Sequence, residues 1–264
     1  MEKTQKELAF LRDLYVTPDW TRRFTDLVDK NLKLDDAENV LYINAGTGDH
    51  CFAIREKIDE RTAVFGQCEN EDVMSIARDK AIAVRSDVDF SMLEFEDDSF
   101  DAVVADATFV LPREVDEFIE DAVRVAKEGG RVTLFLPSAG SYGEVFSLLW
   151  EVLFNEDLGE HGREAEDMIA ELATPASLKT KAEELGLTNV KLETANEIFE
   201  FTNGEEFMAS PLVEDLLLPH WVESLDENEK EQVKAKLAQL IDAEDGDLTF
   251  RFTVKATVIS GIKA

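Results

Sequence analysis

The amino-acid sequence predicts an α/β fold of the doubly wound kind, with a mostly parallel sheet covered by helices on both faces. Three observations carry this. Short apolar runs alternate along the chain with segments whose apolar residues recur at helical spacing. The runs are apolar almost throughout, as strands buried on both faces require. The first of them, Asn39-Val-Leu-Tyr-Ile43, passes directly into a glycine-bearing turn and then a helix, Asn44-Ala-Gly-Thr-Gly-Asp-His-Cys-Phe-Ala-Ile54.

The elements follow in order. Glu7 to Tyr15 and Asp19 to Leu32 read as two amphipathic helices ahead of the sheet. Phe10, Leu11 and Leu14 share one face, and Phe24, Leu27 and Val28 another. Packing on the sheet is the ordinary role of such side chains. Val40, Leu41 and Ile43 form the first strand. Thr62 to Gly66 is the second, with Asp72 to Lys80 as its helix. Ala81 to Arg85 reads as a short third strand and Phe100 to Ala105 as the fourth. Arg113 to Lys127 carries Val115, Phe118, Ile119, Ala122, Val123 and Ala126 at helical spacing, and Gly129-Gly130 is expected to end that helix. Arg131 to Leu136 is the fifth strand, stopped by Pro137.

Beyond Pro137 the pattern changes. Ser138 to Gly143 reads as a loop, Val145 to Phe154 as an apolar helix and Glu156 to Ala170 as an acidic segment. Thr174-Pro175 opens another helix, since Thr caps well and Pro fits the first turn. Val190 to Phe201 and Leu248 to Ile259 alternate as strands and are expected to pair antiparallel. The intervening insertion holds an apolar stretch from Phe207 to Trp221 and an acidic helix from Glu227 to Ile241. It reads as a helical cap over the active edge of the sheet. The expected division is residues 1–35 as N-terminal helices, 36–202 as the α/β core, 203–245 as the cap and 246–264 as the last strand of the core.

The turn after the first strand is the candidate binding site. Glycine lets a ligand approach the backbone with no Cβ in the way, and free N–H groups can meet its polar part. Asp49 falls in the first helical turn, where a carboxylate suits the helix dipole. In parallel sheets, ligands bind at the carboxyl ends of the strands near the switch in strand order. Two glycines in a turn are common, so Gly46 and Gly48 carry little weight alone.

A second constellation is more specific. Leu93-Glu-Phe-Glu-Asp-Asp-Ser-Phe-Asp101 is followed by Asp106-Ala-Thr-Phe-Val-Leu-Pro112 and then by Arg124-Val-Ala-Lys-Glu-Gly-Gly-Arg-Val132. With the glycine turn, this resembles the class I S-adenosylmethionine-dependent methyltransferases, in the subgroup of quinone-biosynthesis methylases, over about residues 20–137. The resemblance implies a Rossmann-like sheet of seven strands with the last antiparallel. It also implies S-adenosylmethionine as cofactor and methyl transfer to a small, apolar or aromatic acceptor. Carried over residue by residue, it places the cofactor against Tyr42, Asn44, Gly46, Gly48, Cys68, Glu69, Asp89, Phe90 and Asp106, with Asp87 competing for the role of Asp89.

This sequence departs from the family at two places. The family carries an acidic residue on the first strand, which helps hold the cofactor's ammonium; Tyr42 stands there. The acidic residue that takes the ribose hydroxyls at the end of the second strand is Cys68, and a thiol cannot act as a two-oxygen acceptor. Glu69 and Glu71 are close by, although the strand pleat points Glu69 the other way. Asn44 replaces the first glycine of the turn, and asparagine tolerates left-handed backbone better than most residues. Two readings stand: a methyltransferase with altered cofactor contacts, or a non-catalytic relative acting through a protein partner. A different enzyme on the same fold is a third, because fold alone does not set function.

Composition narrows the partners. The 264 residues carry a formal net charge of −31, with 44% hydrophobic residues. That charge repels phosphate backbones and anionic headgroups, so neither nucleic acid nor a membrane surface is expected as partner. A small-molecule acceptor, and a protein partner or a second copy of the chain, are the remaining classes. Neither a membrane span nor an apolar signal core is visible, which suggests the cytoplasm. Cys51 and Cys68 are not expected to bridge. His50, beside the turn, and His220, in the cap, are the candidate general bases; capping or solvation is the commoner role. With His161 they do not fall at metal-ligand spacing, so no metal is expected.

Overall fold

The computed structural model describes residues 3–34, 36–245 and 249–264. A seven-stranded mixed sheet runs in the order β3-β2-β1-β4-β5-β7-β6. Its strands are β1 (Asn39–Ile43), β2 (Ala63–Gln67), β3 (Asp89–Ser91), β4 (Phe100–Asp106), β5 (Ala126–Pro137), β6 (Leu187–Phe201) and β7 (Phe250–Lys263). β1 lies parallel between β2 and β4, with Val40 level with Val64 on one side and Ala102 on the other. From β1 the chain builds outward first through β2 and β3, then on the other side through β4 and β5. The switch therefore falls between β1 and β4, where the apolar Val40, Leu41, Val103 and Val104 are buried on both faces. Leu248, expected to open the last strand, lies outside the described residues.

The helices are α1 (Gln5–Leu11), α2 (Arg22–Asp29), α3 (Asp49–Arg55), α4 (Glu71–Val84), α5 (Val115–Val125), α6 (Gly143–Asn155), α7 (Gly162–Ala170), α8 (Pro175–Glu184), α9 (Gly204–Ala209), α10 (Leu218–Trp221) and α11 (Glu227–Asp245). The chain divides into two compact units. One comprises Met1–Leu136, Pro175–Thr194 and Thr257–Ala264; the other comprises Pro137–Thr174 and Ala195–Ala256. The second unit thus begins at Pro137 and takes in α6 and α7 as well as the insertion. Its core is aromatic: the rings of Phe199, Phe201, Phe207 and Phe252 lie within 5.2–6.0 Å of one another in successive pairs. Tyr142 meets Trp221 edge-on at 5.5 Å. Within this unit Glu144 accepts from both the amide (3.1 Å) and the hydroxyl (2.8 Å) of Thr253.

Four local expectations are corrected. Ala81 to Arg85 is the end of α4 rather than a strand: no breaker precedes Ser86, and the helix stops only where Arg85 turns left-handed (φ 57°). Ile82 and Val84 consequently face solvent, and the third strand is Asp89–Ser91. The helix after β4 ends at Val125, not at the glycines. Gly129 and Gly130 lie in an irregular opening of β5, where its register on β4 jumps from Ala126 opposite Phe100 to Arg131 opposite Ala102. The two leading helices are one run, bridged by a wide π-helical stretch, Arg12–Thr21, that carries Pro18 within it. The face it buries is Ala9, Val16 and Trp20, leaving Phe10 and Leu14 exposed, whereas Phe24, Leu27 and Val28 are buried as the spacing predicts.

Candidate functional site

The turn at the carboxyl end of β1 is built from left-handed residues: Asn44 (φ 55°), Gly46 (φ 54°) and Gly48 (φ 89°). Its neighbours on both sides hold it. The Asn44 side-chain amide donates to the carbonyl of Asp106 at the end of β4 (3.0 Å), and the Ala45 amide donates to the carbonyl of Gln67 at the end of β2 (2.8 Å). The Cys68 thiol donates to the Gly46 carbonyl (3.6 Å). Beneath the turn the Phe90 ring is enclosed by Gly48, Gly66 and Phe52. A Cβ at Gly48 would lie 2.6 Å from Phe90 Cζ, and one at Gly66 2.5 Å from its Cδ1. These two glycines are small because the ring needs their space.

Charged side chains cover the turn. Arg12, from the π-helical stretch, places its guanidinium over Gly46; a Cβ there would be 3.3 Å from Nη2. The same guanidinium is 2.7 Å from Glu69 Oε1 and 5.4 Å from the centre of the Phe109 ring. The other Glu69 oxygen accepts from the Gly46 amide at 3.2 Å. Asp13, next to Arg12, is tied to the same region, because Lys80 bonds both Asp13 (2.7 Å) and Asp49 (2.5 Å). Burial tends to strip Arg12 of its proton, but Glu69 and Asp106 outweigh it and hold the guanidinium charged. Asp106 is buried and its carboxyl is raised to about 6 by desolvation, against the opposing pull of Thr108 and Arg12. Burial likewise pushes the Cys68 thiol up to about 12, helped by the charge of Glu69.

A second chain of contacts runs away from the turn. The Tyr42 hydroxyl meets His50 Nδ1 at 3.0 Å, His50 Nε2 meets Asp29 at 3.2 Å, and Asp29 meets Lys57 at 2.5 Å. Asp29 is held down at about 2, chiefly by its bond to His50 against the cost of burial, with Lys57 adding to the effect. Where the family has a carboxylate on the first strand, Tyr42 is thus turned into a buried polar chain.

Among the sequence-predicted residues, the structure brings Asn44, Gly46, Gly48, Cys68, Glu69 and Asp106 together at the carboxyl ends of β1, β2 and β4. Tyr42 and His50 lie just behind them. Other residues do not join the group. Asp87 pairs with Arg55 (3.0 Å), whose guanidinium also bonds the Thr62 carbonyl (2.7 Å) at the amino end of β2, opposite the turn. Asp89 is exposed and level with Phe65 in mid-strand, short of the carboxyl edge. Phe90 is buried, its ring packed against Gly48, Gly66 and Phe52. His50 has both ring nitrogens engaged, Nδ1 with Tyr42 and Nε2 with Asp29. His220 is exposed on α10 in the second unit. Cys51 and Cys68 are buried free thiols. Sequence reasoning missed Arg12 and Asp29. Neither belongs to a motif; the only signal was a cation and an acid on the faces of leading helices that otherwise read as packing.

Residues 14–163 match the ubiE/COQ5 methyltransferase family, a span of more than half the chain. The chain belongs to that family. No curated protein sequence matches it. Among solved structures, this ubiE/COQ5-family chain is similar to the YcgJ protein of Bacillus subtilis, with 16% identity, a TM-score of 0.59, and coverage of 92% of this chain and 98% of that one. A putative methyltransferase from Bacillus halodurans gives 17% identity, a TM-score of 0.58, and coverage of 92% and 99%. Phosphoethanolamine N-methyltransferase 2 of Haemonchus contortus, in complex with phosphomonomethylethanolamine and S-adenosylhomocysteine, gives 14% identity, a TM-score of 0.56, and coverage of 98% and 58%. At these identities the likeness is one of fold.

The cofactor of this family is S-adenosylmethionine, whose amino-acid arm is a zwitterion. The residues around the turn fit such a group: one buried cation, two carboxylates and a glycine amide sit within one cluster, and Arg12 Nε is buried with no hydrogen-bond partner among the described residues. Among those residues, no three His, Cys, Asp or Glu side chains are placed to hold a metal ion, and no helix is long and apolar enough to cross a membrane.

Proposed function

We propose that this methyltransferase-family chain transfers a methyl group from S-adenosylmethionine to a small apolar or aromatic acceptor. The observation that carries the reading is the Asn44–Gly48 turn at the switch between β1 and β4, ringed by Arg12, Glu69 and Asp106. Gly46 offers its backbone amide at the turn, and Gly48 gives the Phe90 ring room beneath it. Asp106 takes the ammonium that the family gives to a carboxylate on the first strand. Glu69, one residue beyond Cys68, reaches the turn and supplies the acidic group for the ribose hydroxyls. Bound there, the cofactor supplies an electrophilic sulfonium methyl. The chain's part is to hold the reactants in line, which needs proximity and orientation rather than a proton shuttle. The net charge of −31 disfavours anionic acceptors and nucleic acid.

One observation favours the second reading, a non-catalytic relative: Tyr42 and Cys68 replace both family carboxylates, and Glu69 already occupies the Gly46 amide. Calorimetric titration with S-adenosylmethionine and S-adenosylhomocysteine separates the two. Saturable binding of both supports methyl transfer. Absence of binding by either overturns it in favour of the non-catalytic reading.

A further inference from the structure

We infer that Arg12 and the Gly46 amide form the subsite for the ligand's α-carboxylate, and that Glu69 is its internal occupant, displaced when the ligand enters. The inference rests on the reading above that S-adenosylmethionine binds at this turn.

The argument starts from what Glu69 touches. One of its oxygens lies 2.7 Å from the Arg12 guanidinium and the other accepts from the Gly46 amide at 3.2 Å. A carboxylate bridged between a guanidinium and a backbone N–H is a complete recognition geometry for a carboxylate, here filled by the chain itself. The Glu69 side chain comes from just beyond the carboxyl end of β2 and is held at the turn by these two contacts. Arg12, by contrast, is fixed from several directions. It lies against Phe109, its neighbour Asp13 is locked through Lys80 to Asp49, and its side chain is only 13% exposed. Among the described residues its buried Nε has no hydrogen-bond partner, so the cation has donor capacity that Glu69 does not use. The Cβ side of Gly46 is filled by that guanidinium, with a Cβ there only 3.3 Å from Nη2, so the glycine lets the cation lie close against the turn.

The exchange also accounts for the two missing carboxylates. With Tyr42 on the first strand, the site has lost one anchor for the ligand's ammonium, and a cation facing the carboxylate shifts recognition to the other end of the zwitterion. Once displaced, Glu69 is free to accept the ribose hydroxyls that Cys68 cannot. Its departure from Arg12 opposes binding, and its arrival at the ribose favours it.

The experiment compares S-adenosylhomocysteine with 5′-methylthioadenosine, which keeps the nucleoside and lacks the amino-acid arm with both its carboxylate and its ammonium, by calorimetry on the full chain; the Arg12 variant separates the two charges. The wild type is expected to bind S-adenosylhomocysteine more tightly. Arg12→Met is expected to lower the affinity ratio of S-adenosylhomocysteine to 5′-methylthioadenosine by roughly 10- to 100-fold, with 5′-methylthioadenosine binding no more weakly than to the wild type, which also reports that the variant site is folded. Glu69→Gln is expected to raise the affinity ratio between the two ligands by removing the internal competitor, whatever it does to both through the ribose. Equal affinity of the wild type for the two ligands, or an unchanged ratio in Arg12→Met, overturns the subsite while leaving the cofactor reading intact. Failure of the wild type to bind either ligand overturns both.

Discussion

Replacing Gly48 by alanine tests the architecture of the turn without touching its charges. Two costs add. The residue sits at φ 89°, where an L side chain is strained by about 1–2 kcal/mol. The new Cβ would also lie 2.6 Å from Phe90 Cζ and 3.1 Å from the Phe52 ring. Phe90 cannot yield, because its other edge is already against Gly66, so overpacking adds about 1–3 kcal/mol. The sum, about 2–5 kcal/mol, corresponds to a fall in thermal midpoint of about 4–20 °C for a chain of this size. Circular dichroism melts of the cofactor-free protein measure it. Phe90→Leu in the same background should recover part of the loss, giving a coupling of about 0.5–3 kcal/mol in a double-mutant cycle. A Gly48→Ala midpoint within about 1 °C of the wild type, or strictly additive effects with Phe90→Leu, would refute the enclosed ring as the reason for this glycine.

Three further outcomes follow from the same cluster. Asp106 holds its proton to about pH 6 in the folded chain against about 3.9 when unfolded, so the native state binds the proton more tightly. Its ionisation therefore removes stability as pH rises from about 4 to 6, on the order of 3 kcal/mol, and urea midpoints of Asp106→Asn should show a flatter profile across that range. Cys68→Asp puts a carboxylate where the thiol now donates to the Gly46 carbonyl and where burial already disfavours negative charge, so it should destabilise more at pH 8 than at pH 5 in urea titrations. Equal loss at both pH values would show that the new carboxylate escapes to solvent. Tyr42→Phe leaves buried His50 Nδ1 without its 3.0 Å contact and should cost about 1–3 kcal/mol by the same assay, with no change expected if the contact is incidental.

The sheet was largely legible from the chain because buried parallel strands are apolar on both faces. Asn39–Ile43, Phe100–Asp106 and the strand after the Gly129-Gly130 pair all show that signature. Ala81 to Arg85 carried the same apolar content and is helical. A short apolar run does not distinguish a strand from the exposed end of a helix, and Arg85, which ends this one, carries no turn signature. The glycine turn was legible because its left-handed residues are those that tolerate that geometry. What the chain did not announce was charge placement. Arg12 reaches Glu69 and Gly46 from more than thirty residues upstream, and no spacing rule links a helix-surface cation to a distant turn. His50 was legible as a neighbour of the turn, but its capture between Tyr42 and Asp29 depends on where α2 docks.

The central claim, that the cofactor's nucleoside and amino-acid arm meet at the Asn44–Gly48 turn, is tested most directly by a crystal structure of the protein grown with S-adenosylhomocysteine. The account predicts the ligand at the carboxyl ends of β1 and β2, its amino-acid arm against Gly46 and Arg12, and Glu69 turned away from the Gly46 amide. A ligand bound elsewhere, with Glu69 still accepting from that amide, would contradict it.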